Sequence, residues 1–211
     1  NNKGWSKHKQ YSIPDKLRAT AKMYWCFGVS REIRWEKKCR KYNRTAKILT
    51  WDPTPLSQLT VDQANHGGYM IEHTNKAYDK ESGKIRKFYA IDDTKKCYQL
   101  DRPENSYDEI EVETINLKTI AEQHGRDVDV IKLDIEGRWH EMLTEILDLG
   151  LAPKIVLVEC EMYIGDHDAQ FLKLDSIVER YQKTGFTVLT NRQTNEECVE
   201  LCFLKYKDAI L

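Results

Sequence analysis

No run of about 18 consecutive apolar residues occurs in the chain, so no segment reads as a membrane-crossing helix. No leader with a basic start, an apolar centre and a small-residue cleavage site opens it either, so no signal peptide is read. Because the first residue is Asn1 rather than Met, an upstream targeting segment stays open. A cytoplasmic location is expected, with the secretory pathway as the alternative if a natural N-terminus was removed. An excess of charge is also lacking: 33 Lys and Arg face 34 Asp and Glu, a net charge of −1. A general nucleic-acid binder needs a basic surplus to neutralise phosphates, so no nucleic-acid partner is expected. The six cysteines form no Cys-x-x-Cys pair and no Cys/His spacing of the zinc type, and no metal is expected. Cys198 and Cys202 fall four apart in a strand-like stretch, on one face but too far apart to pair. Glycine-rich G-x-G-x-x-G is absent as well, which argues against a dinucleotide-dependent oxidoreductase.

What is present is the composition of a globular α/β chain: 211 residues, 40% apolar and 32% charged. That length suits one sizeable core. The expected organisation is an N-terminal arm or lid over 1–22 and a single Rossmann-like domain over 23–211. The basic run Lys37–Lys41 and the acidic run between Asp101 and Glu113 read as solvated faces, with a charged partner as the alternative. Asn43-Arg44-Thr45 is a glycosylation sequon of a kind that chance often supplies.

Val128–Asp134 and Lys154–Glu159 are short apolar runs ending in an acid, the signature of buried parallel strands. Between them Glu136–Leu149 places Trp139, Met142, Leu143, Ile146 and Leu147 at helical spacing and stops at Gly150. The same grammar appears in Met23–Phe27, a helix over about 32–42, and Ala46–Trp51. Two β-α-β units predict a mostly parallel, doubly wound sheet with right-handed crossovers. Further helices are expected over about 56–65, 117–124 and 168–183, with strands at 186–190 and 199–206 joined through polar 191–197.

In such a sheet a ligand lies across the carboxyl ends of the strands where their order reverses. That gathers the loops after Phe27, Trp51 and Leu133 around one crevice. Gly28 permits a tight turn beside a ligand, and the helix after it offers amide donors. Asp52, about 24 residues on, stands where a carboxylate accepts ribose hydroxyls, although Asp-Pro is also an ordinary turn opener. Asp134, Glu136, Glu159 and Glu161 come at strand carboxyl ends, where a partly desolvated carboxylate suits proton removal. His140 reads as a solvated or capping helix histidine, and the five tryptophans as packing.

Trp51-Asp52-Pro53-Thr54-Pro55 together with Ile131-Lys132-Leu133-Asp134-Ile135-Glu136-Gly137 resembles the FkbM-type class I methyltransferases, and Phe27–Glu36 is similar to that family's first loop and helix start. The resemblance implies a Rossmann-like methyltransferase fold with an antiparallel last strand. It also implies S-adenosylmethionine as cofactor and methyl transfer to an oxygen of a sugar or another small molecule. Carried onto this chain, it sets Phe27, Gly28, Val29 and Ser30 against the cofactor's methionine part and Asp52 with Pro53 at its ribose. Asp134 would touch the cofactor and, with Glu136, face the crevice near the transferred methyl; Glu159, from its own place at a strand carboxyl end, completes the catalytic set. Ser30 and Arg31 depart from the pattern, replacing a second glycine and an acidic residue. That departure keeps open a catalytically silent domain that serves as a binding or scaffolding module.

Overall fold

The structure is a computed structural model that describes residues 5–6, 11–90, 98–100, 108–164, 166–195 and 198–205. His8, Cys97 and residues 101–107, the first part of the acidic run, lie outside the described residues. In chain order the elements are β1 (Trp5–Ser6), β2 (Ile13–Pro14), α1 (Asp15–Thr20), β3 (Met23–Phe27), α2 (Arg34–Tyr42), β4 (Lys47–Trp51), α3 (Pro55–His66), β5 (Glu72–Thr74), β6 (Ala77–Tyr78), β7 (Ile85–Ala90), β8 (Tyr98–Gln99), β9 (Glu109–Ile115), α4 (Leu117–His124), β10 (Val130–Leu133), α5 (Trp139–Asp148), β11 (Ile155–Glu161), α6 (His167–Lys183), β12 (Thr187–Asn195) and β13 (Cys198–Leu204).

Seven strands form the main sheet in the order β12-β13-β11-β10-β3-β4-β5. The neighbours from β11 to β5 run parallel, and β13 is inserted antiparallel between β11 and β12. This is the α/β, mostly parallel, doubly wound sheet with an antiparallel last strand that the sequence predicts. The order reverses between β3 and β10, which places the crevice over their carboxyl ends. A four-stranded sheet, β6-β9-β7-β8, is spliced in between β5 and α4.

The strand interiors are buried on both faces, as in β10 (Val130–Leu133), whose residues are all buried. Trp25, Phe27, Ile131, Leu133, Val156 and Val158 point to one face and pack with α4, α5 and α6. Tyr24, Cys26, Val130, Ile155 and Leu157 point to the other and pack with α1, α2 and α3. The helical spacing in α5 is why Trp139, Met142, Leu143 and Ile146 are all fully buried. The described part of the N-terminal segment lies on the second face, with Ile13, Leu17 and Ala21 in its core.

Three expectations change in detail. The helix expected from Glu136 begins at Trp139, because Glu136–Arg138 form a turn around Gly137, which has φ +82°. β11 runs two residues past Glu159, so Glu159 and Glu161 both belong to the strand. The polar stretch expected to connect the last two strands is strand as far as Asn195, since pairing with β13 continues through two irregularities in register. The sequon is unsuited to glycosylation in the folded state: Asn43 is buried and its Nδ2 donates to the carbonyl of Ala21 at 2.7 Å. Cys26, Cys39, Cys160, Cys198 and Cys202 are all buried. Among the described residues no helix is long and apolar enough to cross a membrane.

Candidate active site

At the carboxyl end of β3 the chain turns sharply through Gly28, whose φ is +78°. A Cβ there would sit 1.6 Å from the carbonyl oxygen of Asp134, so no other residue fits without moving the backbone. The close approach is fixed from both sides. The amide of Gly28 donates to Trp51 O at 3.0 Å, and the amide of Asp134 donates to Phe27 O at 3.0 Å. Lys132 Nζ reaches across from β10 to donate to Gly28 O at 2.9 Å. The first loop is thereby stitched to both neighbouring strands.

Asp52 completes the stitching. It is 4% exposed, and its Oδ2 accepts from the amides of Val29 and Ser30, each at 2.6 Å. Its Oδ1 accepts from the amide of Thr54 at 2.7 Å and from Thr54 Oγ1 at 2.6 Å. A carboxylate has about four acceptor positions, so the protein itself occupies the set expected to serve ribose hydroxyls. Thr54 stands at the N-cap position of α3 without a side-chain capping bond, and the helix begins with Pro55 at its first position, where a missing amide hydrogen costs nothing. The D-P-T-P turn is thus explained by loop construction. Ser30 follows with φ +46°, a left-handed conformation unusual for a residue with a side chain.

Lys132 is 3% exposed and faces the same side of the sheet as α2. Its Nζ lies 3.3 Å from Glu36 Oε1 and 3.6 Å from Asp134 Oδ2. Burial alone would lower the Lys132 pKa, but Glu36 and Asp134 outweigh it and hold the ammonium charged. Glu36 is fully buried, and burial raises its pKa against the opposing pull of Lys132. Glu159 lies half-buried at the cavity floor, and its pKa is raised by burial and then by Asp134. Glu161, two residues on, is buried, is pushed well up by burial and then by Glu136, and accepts from the Gly137 amide at 3.2 Å. Glu136 Oε2 accepts from Tyr163 OH at 2.7 Å. His140 is half-buried, and burial lowers its pKa.

These loops enclose one cavity of about 750 Å³. Phe27, Gly28, Val29, Ser30, Asp52, Pro53, Asp134, Glu136 and Glu159 all line it, so the structure brings every residue of the sequence-derived site together. Glu161 and His140 are not part of its wall. Tyr11 comes from the expected arm or lid and Trp35 from the Phe27–Glu36 stretch, whereas sequence reasoning missed Tyr78, Phe88 and Tyr98 from the spliced-in sheet. No local motif marks those aromatics, because they arrive through tertiary packing. Lys132 was visible as the first letter of K-x-D-x-E-G.

The cavity has the size of a cofactor site, since pockets for such ligands span roughly 300–1,000 Å³. Two lining indoles, Trp35 Nε1 and Trp51 Nε1, are buried donors with no hydrogen-bond partner among the described residues, as expected where a ligand supplies the acceptors. Gly28, Val29, Ser30, Pro53 and Tyr78 all stand in the cavity wall. Among the described residues no group of three or more His, Cys, Asp or Glu could hold a metal ion.

Comparison with solved structures finds the same architecture at low identity. The chain is similar to a putative rRNA-methylase from Clostridium thermocellum, with a TM-score of 0.52 and 11% identity over 90% of this chain and 91% of that one. It is similar to cofactor-bound Rv0187 from MTB, with a TM-score of 0.50 and 10% identity over 92% and 78%. Against the METTL16 MTase domain the TM-score is 0.50 and the identity 11%, covering 90% of this chain and 62% of that chain. At these identities the likeness concerns the fold. No curated protein matches the sequence. The methyltransferase FkbM domain model matches residues 23–186, which takes in the Gly28 loop, the Asp52 turn, Asp134 and Glu159, and the chain therefore belongs to the FkbM methyltransferase family.

Proposed function

We propose that this chain is an S-adenosylmethionine-dependent methyltransferase acting on a hydroxyl of a small molecule or glycan. The observation that carries the reading is the convergence of the Gly28 loop, Asp134 and Glu159 on one cavity at the point where the sheet reverses its strand order. The cofactor, when bound, supplies a methyl group on a positively charged sulfur. The chain's own contribution is positioning and proton removal. Phe27–Ser30 and Pro53 hold the cofactor along the strand ends, and the constrained first loop fixes its orientation. Asp134, held at the strand end by its own amide, orients the acceptor hydroxyl. Glu159, whose pKa is raised toward the working range, takes the hydroxyl proton as the oxygen–carbon bond forms. Glu136, tied to Tyr163 at the cavity wall, shapes the acceptor side.

A second reading has its own observation. Asp52 spends its acceptor positions inside the protein and Ser30 holds a left-handed backbone, which suits a domain that keeps the fold and cavity without turnover. Isothermal titration with S-adenosylmethionine and, separately, with NAD distinguishes the cases. Saturable binding of S-adenosylmethionine alone supports the methyltransferase reading, and methyl transfer to a glycan panel then separates an active enzyme from a silent one. Absence of S-adenosylmethionine binding by folded protein sinks it.

A further inference from the structure

The segment before residue 23 precedes the region matched by the family, yet it reaches the candidate site. It is fastened to the sheet by the buried Ile13, Leu17 and Ala21, by Tyr24 OH donating to Arg18 O at 3.1 Å, and by Asn43 donating to Ala21 O. Fastened there, it inserts Tyr11, 2% exposed, into the cavity wall. The Tyr11 ring meets Trp35 edge-on at 6.4 Å, and Lys132 Nζ lies 5.1 Å from its centroid. Its hydroxyl donates to Glu159 Oε2 at 3.3 Å. The other oxygen, Glu159 Oε1, accepts from Cys198 Sγ of β13 at 3.2 Å. Each oxygen of the carboxylate is therefore held by a donor on a different element, and neither donor comes from the region the family model covers.

We propose that Tyr11 and Cys198 are positioning residues that fix Glu159 and keep it able to accept a proton, so that the segment before the family-matched region completes the site. The inference rests on the reading of Glu159 as the proton acceptor. Asp134, just past the end of β10, is a like charge that drives Glu159 toward its protonated form, while Lys132 on β10 favours the anion. Glu161 on β11 and Glu200 on β13 add negative charge around Tyr11, and Glu36 on α2 partners Lys132. In that acidic surrounding, donors to the ionised carboxylate are what keep its proton affinity from rising further. Tyr11 stays protonated throughout, because burial first and then Asp134, Glu159, Glu161 and Glu200 raise its own pKa. Its hydroxyl hydrogen therefore remains on hand for Glu159.

The test is a carbon-13 NMR titration of glutamate side-chain carboxyls in the ligand-free protein, with Glu159 assigned by its loss in Glu159→Gln. Tyr11→Phe and Cys198→Ala are each expected to raise the Glu159 midpoint, by about half a pH unit or more. Cys198→Ser, which keeps a donor, is expected to return it toward the wild-type value. If Tyr11→Phe fails to fold, the Cys198→Ala and Cys198→Ser pair decides alone. An unmoved midpoint in folded Tyr11→Phe, or in Cys198→Ala where that pair decides, overturns the proposal. Neither cofactor nor acceptor is present in this titration. A moved midpoint together with absent S-adenosylmethionine binding would thus keep the positioning roles and discard the methyltransferase reading.

Discussion

Replacing Lys132 by Met should expose how much of the site's rigidity depends on one buried ammonium. Lys132 is 3% exposed, Glu36 is fully buried, and 3.3 Å separates their charges. Lys132→Met leaves the Glu36 carboxylate without its cation and leaves Gly28 O without the donor now at 2.9 Å. Breaking a buried pair by removing one partner costs about 3–5 kcal/mol, because the survivor keeps its desolvation penalty. Against a total stability of roughly 5–15 kcal/mol that is a large fraction. For a chain of this size the loss corresponds to a fall in melting temperature of about 6–20 °C.

The double variant Lys132→Met/Glu36→Leu removes both charges and should recover most of the loss, since apolar replacements of a whole buried pair are often neutral or stabilising. The pH dependence adds a second signature. In Lys132→Met the folded Glu36 holds its proton more tightly than the unfolded chain does. The folded state is then favoured below the unfolded pKa and loses that advantage as pH rises through the folded pKa, so the destabilisation should be smaller at pH 5 than at pH 8. Urea unfolding followed by circular dichroism, with the m value compared across variants, measures each quantity. A loss below about 1 kcal/mol in Lys132→Met, or a double variant as unstable as the single one, would refute the account of the pair.

Asp52→Asn sets an amide against four donors and should cost at least about 1–3 kcal/mol of stability in the absence of ligand; chemical denaturation that shows no loss would mean Asp52 serves only a ligand. Ser30→Gly removes a left-handed side chain worth about 1–2 kcal/mol of strain, offset by about 0.5–1 kcal/mol of glycine entropy. It should therefore leave stability equal or slightly higher and tighten S-adenosylmethionine binding in calorimetry; weaker binding would show that the serine side chain contributes a hydrogen bond. Glu161 binds its proton more tightly folded than unfolded, so wild-type stability should decline as pH rises above the ordinary carboxylate range, and Glu161→Gln should flatten that decline in melts across pH 5–9. Asp134→Asn should keep cofactor affinity while turnover with a verified acceptor drops roughly 10²-fold or more; normal turnover would remove Asp134 from the chemistry.

The main sheet was legible because its strands and helices follow two unmixed periods. Met23–Phe27 and Lys47–Trp51 are buried parallel strands with little polar interruption, and the α5 residues Trp139, Met142, Leu143 and Ile146 repeat at helical spacing. Once those elements are placed, the reversal of strand order between β3 and β10 locates the crevice, so Gly28, Asp52 and Asp134 could be gathered before any coordinates. Glu159 followed from the same rule, although β11 carries it inside the strand by running on to Glu161. Boundaries failed where polar sequence pairs as strand, as it does through Asn195.

What could not be read is what each polar atom does once the loops close. Asp52 has the position of a ribose ligand and the bonding of a loop organiser, and only the amides of Val29, Ser30 and Thr54 reveal the second. Lys132 carries the point further. In sequence it is a charge inside an apolar strand, an apparent flaw in a buried run. In the structure that charge answers Glu36 from α2, donates to Gly28 O and approaches Asp134, joining two segments far apart in the chain. The cost of burying an ammonium is offset only when all of those partners are in place, so this lysine makes the first loop and the K-x-D-x-E-G turn fold as one unit. A motif defined by spacing along the chain therefore marks a contact across it. The residues most informative for function are the ones whose burial makes no sense until the partner strand is present.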